Sequence, residues 1–243
     1  MDVGPLLAPL ARAPERSAIL LDVDGTLAPI VARPELSEVP PETRAELRRL
    51  ASKYLLVACV SGRSSADAIR LVGVEGIRIV GNHGLELDPR AAELAGAVRQ
   101  FVSALAIPGE IRLEDKGLSV TLHYREATDP EGAERWLAEV AEAAVQEGLD
   151  PRWGRKVLEI RPAVSADKGT AVRALISESG AACALYAGDD VTDLDAFAEL
   201  ESGGLEFVVR VAVASSEGPN ELLDRACLVV ESPAALAELL GVL

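Results

Sequence analysis

The sequence contains few cysteines and no long apolar run, and both shortages exclude classes of protein. Its cysteines, Cys59, Cys183 and Cys227, occur singly, without the paired spacing of a zinc site. Each lies in an apolar run, so we expect reduced core cysteines, as is usual for a cytoplasmic protein. No apolar run approaches the roughly 20 residues that a membrane-spanning helix needs, so we expect no membrane partner.

Positive charge is also scarce. The chain has 24 Lys and Arg against 39 Asp and Glu, a net charge of −15. This excess repels nucleic acid and anionic membranes, and no basic patch offsets it, so we expect neither as a partner. Prolines and arginines interrupt the apolar residues of segment 1–18, so we expect no signal peptide there.

The chain nevertheless has enough apolar residues to form a sizeable core, since 49% of its 243 residues are hydrophobic. In the first and last thirds, short apolar runs alternate with segments of helical period. Apolar strands without polar alternation are typical of a parallel sheet covered by helices on both faces. We therefore predict an α/β, doubly wound core formed by residues 1–87 and 163–243.

The middle third has a different pattern. From Leu118 to Arg125 apolar and polar residues alternate strictly, which predicts a half-buried antiparallel strand whose polar face includes His123 and Arg125. A helical segment follows, and then a second strand that places Glu159 and Arg161 on one face. We predict an inserted α+β domain over residues 88–162.

Polar residues follow the apolar runs of the predicted parallel sheet. They are Asp22, Asp24, Ser61, Lys168, Asp189, Asp190 and Asp193. Because ligands of such sheets bind beyond the carboxyl ends of the strands, we expect these side chains to form one site. Asp22 and Asp24 are two residues apart, so an extended backbone points both carboxylates to the same side. With the later aspartates they would form an oxygen-rich pocket suited to Mg²⁺.

Several of these residues also have a structural interpretation. Segment 22–25 could be a turn, and the later aspartates could cap the helix that follows them. Ser61 is not needed as a helix cap, because Ser64 and Asp67 match a capping box. Lys168 opposes the dipole of the helix that it begins, so we expect it to have a negatively charged partner, in the protein or in a ligand.

As a set, these residues are sufficient for phosphoryl transfer. One aspartate can attack phosphorus, and the second can protonate the leaving alkoxide and later activate water. A Mg²⁺ ion and Lys168 can offset the charge of the phosphoryl oxygens, which Ser61 and loop N–H groups can orient.

The segments "DVDGTL", "SGR", "DKG" and "GDDVTD" together resemble the four motifs of the haloacid-dehalogenase-like (HAD) phosphatases. That resemblance implies that Asp22 is the nucleophile that becomes an aspartyl-phosphate, and that Asp24 is the general acid and base. It assigns phosphate binding to Ser61, Gly62 and Lys168. The metal ligands that it implies are Asp22, Asp189 and the backbone carbonyl of Asp24. It also implies that Asp190 and Asp193 bind the metal, directly or through water.

Longer segments, including "GNHGLEL", "EDKGLSVTLHYR" and "GRKVLEIRP", resemble the trehalose-6-phosphate phosphatases. The family commonly has other residues where this chain has Arg155 and Leu194. The inserted domain would then be a substrate-selecting cap. The residues that the resemblance places at the substrate are Asn82, His83, Glu114, Lys116, Arg125 and Glu159. The alternatives are a turn histidine at position 83 and a solvated sheet face of ion pairs in the insert.

The resemblance implies a cytoplasmic, Mg²⁺-dependent enzyme of trehalose biosynthesis, which converts trehalose 6-phosphate to trehalose and phosphate. A functional link to a trehalose-6-phosphate synthase follows from that role. The alternatives are a related phosphatase, acting on mannosyl-3-phosphoglycerate, sucrose phosphate or glucosylglycerol phosphate, and a sugar-phosphate sensor without catalysis. The presence of Asp22, Asp24, Lys168 and Asp189 argues against the sensor.

Overall fold

A computed structural model describes residues 3–31, 33–215 and 218–243. In those ranges the strands, in chain order, are β1 (Ser17–Leu21), β2 (Leu56–Val60), β3 (Arg78–Val80), β4 (Arg112–Asp115), β5 (Val120–His123), β6 (Leu149–Gly154), β7 (Val157–Pro162), β8 (Cys183–Gly188), β9 (Phe207–Val213) and β10 (Leu228–Val230).

The α-helices of the same ranges are α1 (Gly4–Arg12), α2 (Pro41–Lys53), α3 (Ser65–Val72), α4 (Pro89–Ser103), α5 (Pro130–Gln146), α6 (Lys168–Ser179), α7 (Asp193–Ser202), α8 (Asn220–Arg225) and α9 (Pro233–Leu240). Short 3₁₀ segments cover Pro14–Arg16, Pro34–Leu36 and Asn82–Leu87. None of the helices in the described ranges combines the length and the hydropathy that a membrane span requires.

The chain divides into two compact units. Unit 1 contains residues 1–84 and 166–243, and unit 2 contains residues 85–165. The inserted domain predicted from the sequence spans residues 88–162, so its two boundaries lie a few residues inside unit 2.

Unit 1 has a six-stranded parallel sheet in the order β10-β9-β8-β1-β2-β3. Every residue of β1 is buried, and alternate side chains enter different cores. Ile19 packs in a core with residues of α1, α2, α3 and α9, while Leu20 packs in a second core with residues of α6, α7 and α8. Helices therefore cover both faces of the sheet, which confirms the predicted doubly wound α/β fold.

The central position of β1 determines where the site lies. The strand pairs with β2 on one side and with β8 on the other, all in parallel. The Asp22 N–H extends the hydrogen bonding between β1 and β8 by donating to the Ala187 carbonyl at 2.9 Å. The ends of β1, β2 and β8 consequently meet at one edge of the sheet, and the polar residues that follow these strands meet there too.

Unit 2 has an antiparallel sheet in the order β4-β5-β7-β6. Val120 and Leu122 of β5 pack in a core with residues of α4 and α5. Thr121 points to the opposite face, where it is paired with Glu114 of β4 and with Glu159 of β7. The apolar face of β5 thus packs in a core as expected, but Thr121 on the opposite face is also buried, so the prediction of a half-buried strand was wrong. The strand also ends at His123, before Arg125.

Several elements had no clear sequence signal. Helix α1 contains Pro9 in its interior, and β4 reads "RLED", with charged residues on an edge strand. One prediction was wrong: Cys227 is exposed, whereas Cys59 and Cys183 are buried as expected. Cys227 directly precedes β10, which is an edge strand of the parallel sheet, so its apolar neighbours did not ensure its burial.

Leucines at one cross-strand pair test the core of unit 2. Leu122 is fully buried, whereas Leu113, opposite it on the edge strand β4, is 43% exposed. We expect Leu122→Ala to lower the free energy of unfolding by about 2–5 kcal/mol, because it leaves a cavity. Leu113→Ala, the matched control, should cost less than about 1 kcal/mol. Urea denaturation measures both, and equal losses would contradict the assignment of this core.

Candidate active site

The centre of the site is the ammonium group of Lys168, the first residue of α6. Its Nζ donates to Asp22 Oδ1 and to Asp193 Oδ1, at 2.7 Å in each case, and all three side chains are buried. This contact joins the end of β1 to the starts of α6 and α7. Lys168 therefore has the negatively charged partners that its place at a helix N-terminus led us to expect.

Asp193 accepts hydrogen bonds on both of its oxygens. Oδ1 receives the Tyr186 hydroxyl at 2.7 Å as well as Lys168. Oδ2 receives the backbone N–H groups of Asp189 and Asp190, at 2.9 and 2.8 Å. Asp193 thus fixes the loop after β8, and it does not cap its own helix, for which Thr192 is the N-cap residue without a side-chain bond.

Burial sets the electrostatics of this cluster. Desolvation raises the pKa of Asp22 well above its usual value, and the charge of Lys168 offsets only part of this effect. Burial alone would lower the pKa of Lys168, but Asp193 and Asp22 outweigh it and raise that pKa. Burial would likewise raise the pKa of Asp193, yet Lys168, Tyr186 and the Asp190 N–H lower it. Lys168 and Asp193 therefore form an ion pair, and a further cation beside Asp22 would favour the ionised form of that carboxylate.

The residues present fit a divalent cation. One carboxylate oxygen each from Asp22, Asp189 and Asp193 lies within 4.8 Å of the other two, and all three residues are buried. Three buried carboxylates with one ammonium group leave an excess of negative charge that a hard cation would neutralise. Asp190 and the Asp24 carboxylate lie outside this cluster. Asp190 Oδ1 accepts the N–H of Val191 at 2.6 Å.

The loop after β1 is shaped to admit the Asp189 carboxylate. Gly25 has a φ of +87°, and a Cβ atom at this position would lie 2.2 Å from Asp189 Oδ2. A larger residue at position 25 would therefore displace that carboxylate. On its other oxygen, Asp189 Oδ1 accepts the buried Thr26 hydroxyl at 3.3 Å. Gly25 and Thr26 thus belong to the site as well as to a turn.

The carboxylate of Asp24 has different partners. Arg63 Nε donates to Oδ2 at 2.6 Å, and Arg63 Nη2 donates to Oδ1 at 2.7 Å. The Ser37 hydroxyl donates to Oδ1 at 3.1 Å. Sequence reasoning missed both residues, although Arg63 lies inside the quoted "SGR" segment.

Ser61, Gly62 and the 82–83 loop also come together in unit 1. The Ser61 hydroxyl oxygen accepts the Arg63 N–H at 3.1 Å, and the Ser61 carbonyl accepts the His83 N–H at 2.9 Å. A Cβ atom at Gly62 would lie 2.5 Å from His83 Nε2, so a larger residue there would displace this imidazole. Asn82 and His83 both have positive φ values, near 50°. The backbone thus holds these predicted phosphate and substrate residues in one cluster.

Unit 2 groups most of its predicted substrate residues on the polar face of its sheet. His123 Nε2 lies 2.6 Å from Glu114 Oε2. Burial would raise the pKa of Glu114, but the His123 hydrogen bond and the charge of Lys116 lower it. On β7, Glu159 Oε1 accepts the buried Ser119 hydroxyl at 2.7 Å and lies 3.4 Å from Lys116 Nζ. The carboxylates of this face are therefore held in fixed positions.

Arg125 is separate from that group. It lies beyond the end of β5, is exposed, and its Nη2 donates to the Arg155 carbonyl at 3.5 Å. Arg161, in contrast, is buried, with its Nε 4.0 Å from Asp150 Oδ2. The predicted polar face thus includes His123, Glu159 and Arg161, but Arg125 does not lie on the strand.

Comparisons with known proteins agree with this geometry. The family model for trehalose-phosphatase matches residues 20–225. That range covers most of the chain. The chain belongs to the trehalose-phosphatase family.

Relatives support this membership. Trehalose-phosphate phosphatase of Mycolicibacterium paratuberculosis is 35% identical over 91% of this chain, and the match covers 60% of that protein. The Mycobacterium marinum protein of the same name is also 35% identical, over 93% of this chain and 61% of that protein. This chain therefore spans about 60% of the length of these curated relatives.

Solved structures of this family and its relatives share the fold. The C-terminal domain of Candida albicans trehalose-6-phosphate phosphatase matches with a TM-score of 0.74 at 24% identity, covering 99% of this chain and 96% of that one. A trehalose-6-phosphate phosphatase related protein matches with a TM-score of 0.73 at 23% identity, over 92% and 95% of the two chains. A haloacid dehalogenase-like hydrolase of Bacteroides thetaiotaomicron matches with a TM-score of 0.60 at 15% identity, over 93% of this chain and 98% of that one.

The Tyr186 hydroxyl offers a test of the buried cluster. We expect Tyr186→Phe to lower the free energy of unfolding by about 1–3 kcal/mol, because Asp193 loses a donor in a buried site. Tyr124→Phe is the matched control, since the Tyr124 hydroxyl donates no hydrogen bond within the described ranges, and it should change stability little. Urea denaturation in EDTA separates this effect from metal binding. Equal stability of both variants would contradict the role of Tyr186 in the cluster.

Proposed function

We propose that this chain is a Mg²⁺-dependent phosphatase that hydrolyses trehalose 6-phosphate to trehalose and phosphate. The observation that supports this most directly is the buried contact between Asp22 and Lys168, with Asp189 beside it, at the end of the central strand. Membership of the trehalose-phosphatase family supports the choice of substrate. A nucleophilic carboxylate beside a fixed cation is the arrangement that attack on a phosphomonoester requires.

We assign the metal site to Asp22 and Asp189, with the Asp24 carbonyl, and to Asp190 and Asp193 directly or through water. The four donors on Asp193 favour the indirect role for that residue. When bound, Mg²⁺ would supply positive charge to Asp22 and to the phosphoryl oxygens.

In the first chemical step, Asp22 attacks phosphorus. Oδ1 is bound to Lys168, whereas Oδ2 accepts no hydrogen bond from residues 3–31, 33–215 or 218–243, so we assign the attack to Oδ2. The new Oδ2–P bond forms as the bond from phosphorus to the sugar oxygen breaks. Asp24 gives its proton to the leaving sugar oxygen, while Lys168 and Ser61 hold the phosphoryl oxygens.

In the second step, the aspartyl-phosphate is hydrolysed. Asp24, now ionised, takes a proton from water as the water oxygen attacks phosphorus. The bond between phosphorus and Asp22 Oδ2 breaks, and phosphate and the free carboxylate of Asp22 are released. One aspartate thus acts first as an acid and then as a base.

We propose that unit 2 is the cap that selects the substrate. Fixed carboxylates at Glu114 and Glu159, together with Lys116, can accept from and donate to the vicinal hydroxyls of a sugar. Arg125, exposed beyond β5, would donate to the same hydroxyls, and Asn82 and His83 would contact the substrate from unit 1. A cytoplasmic location and a functional link to a trehalose-6-phosphate synthase complete the proposal.

The first experiment measures phosphate release from a panel of phosphosugars, with Mg²⁺ and with EDTA. We expect trehalose 6-phosphate to be hydrolysed with the highest kcat/KM and EDTA to abolish the activity. Asp22→Asn should reduce kcat by about a thousandfold or more, because an amide is a poor nucleophile. Circular dichroism would show that this variant is folded.

Two outcomes would reject parts of this proposal. A preference for mannosyl-3-phosphoglycerate, sucrose phosphate or glucosylglycerol phosphate would replace the substrate and keep the chemistry. Phosphate release by Asp22→Asn at the wild-type rate would overturn the chemistry itself.

The role of unit 2 is tested by comparing a large and a small substrate. Glu159→Ala should lower kcat/KM for trehalose 6-phosphate about ten- to a hundredfold, because a sugar hydroxyl loses its partner in a desolvated site. Hydrolysis of p-nitrophenyl phosphate, which has no sugar, should hardly change. Glu139→Ala, on the exposed side of α5, is the matched control and should affect neither substrate. Parallel loss of both activities in Glu159→Ala would show that this glutamate is structural.

A further inference from the structure

Arg63 contacts the proposed acid and base of the reaction through two separate nitrogen atoms. Its Nε and Nη2 bind different oxygens of Asp24, at 2.6 and 2.7 Å. Such paired bonds fix the rotation of a carboxylate as well as its position, which a single ammonium contact would not do. The Arg63 side chain is only 13% exposed, whereas that of Asp24 is 40% exposed. The arginine is therefore the more buried partner.

The backbone of Arg63 is tied to the rest of the site. Its N–H donates to Ser61 Oγ at 3.1 Å, and its carbonyl accepts the Asn82 N–H at 2.7 Å. The backbone of Arg63 thus lies in the loop that contains the proposed phosphate-binding residue Ser61 and is bonded to the proposed substrate residue Asn82. The position of this loop therefore determines where the Arg63 side chain holds the carboxylate of Asp24.

The contacts also distinguish the two oxygens of Asp24. A carboxylate has about four lone-pair positions, two on each oxygen. Among residues 3–31, 33–215 and 218–243, Oδ1 receives both Arg63 Nη2 and the Ser37 hydroxyl, whereas Oδ2 receives only Arg63 Nε. Oδ2 is therefore the oxygen that retains a lone pair for a proton.

We propose that Arg63 is a positioning residue that orients the Asp24 carboxylate so that Oδ2 exchanges the proton in both chemical steps. Ser37 supports the same orientation by occupying Oδ1. This inference rests on the proposed function, in which Asp24 gives a proton to the sugar oxygen and later takes one from water.

A double-mutant cycle tests whether Arg63 acts through Asp24. Arg63→Lys keeps the positive charge but cannot form both bonds, so we expect kcat on trehalose 6-phosphate to fall about ten- to a hundredfold. KM should stay within about twofold, because the proposal gives Arg63 no contact with the substrate. In the Asp24→Asn background, Arg63→Lys should cause no further loss, since the group that it orients is already disabled. High enzyme concentrations make the slow rates measurable.

The controls use residues close in the chain. Arg70→Lys should leave kcat unchanged, because Arg70 pairs with Asp67 on the exposed side of α3. Ser37→Ala should lower kcat less than Arg63→Lys and should also have no effect in the Asp24→Asn background. Ser37→Ala keeps the proposal testable if Arg63→Lys does not fold.

Two results would overturn the inference. Losses that multiply in the Asp24→Asn background would show that Arg63 acts independently of Asp24. A higher KM with an unchanged kcat would make Arg63 a substrate ligand instead. A failure of the proposed function would be detected in a different measurement, the substrate preference of the wild-type protein. The cycle can then be measured on whichever phosphosugar the wild type hydrolyses.

Discussion

A single buried ammonium group determines how the catalytic edge of this sheet is built. Lys168 bonds to Asp22 and Asp193 at once, and Asp193 in turn holds the loop that contains Asp189 and Asp190. Removing one partner of a buried ion pair leaves an uncompensated charge, so these residues depend on each other energetically as well as chemically. The side chains that we propose as nucleophile, phosphate-binding cation and metal-binding loop therefore form one interdependent cluster.

The sequence was informative where one residue type has few physical explanations. A lysine at the start of a helix needs a negative partner, and a strand that delivers two aspartates needs a cation, so Lys168 and Asp22 could be predicted. Arg63 and Ser37 could not, because an arginine after a strand and a serine in a loop fit a surface equally well. Their contacts with Asp24 depend on how the loops after β1 and β2 approach each other, which no local pattern encodes.

The fold, like the site, could be predicted from the sequence only in part. Continuous apolar strands identified the parallel sheet, because burial on two faces gives that pattern. Strict alternation identified β5 and its apolar face, which packs against α4 and α5, but not the burial of Thr121 on the other face. The charged edge strand β4 and the proline-containing helix α1 were not predicted, since tertiary packing there outweighs the weak local preference of the sequence for strand or helix. Cys227 shows the converse: apolar neighbours on an edge strand did not bury it.

The division of unit 1 into two chain segments has a consequence for synthesis on the ribosome. Strand β1 pairs with β8, which follows all of unit 2 in the chain. Until β8 emerges, one edge of β1 is an unpaired apolar strand, the kind of surface that promotes aggregation. The nascent chain must protect this edge while unit 2, which has its own core, is completed. The contact of Asp22 with Lys168 likewise spans all of unit 2, so it can form only after unit 2 has been synthesised.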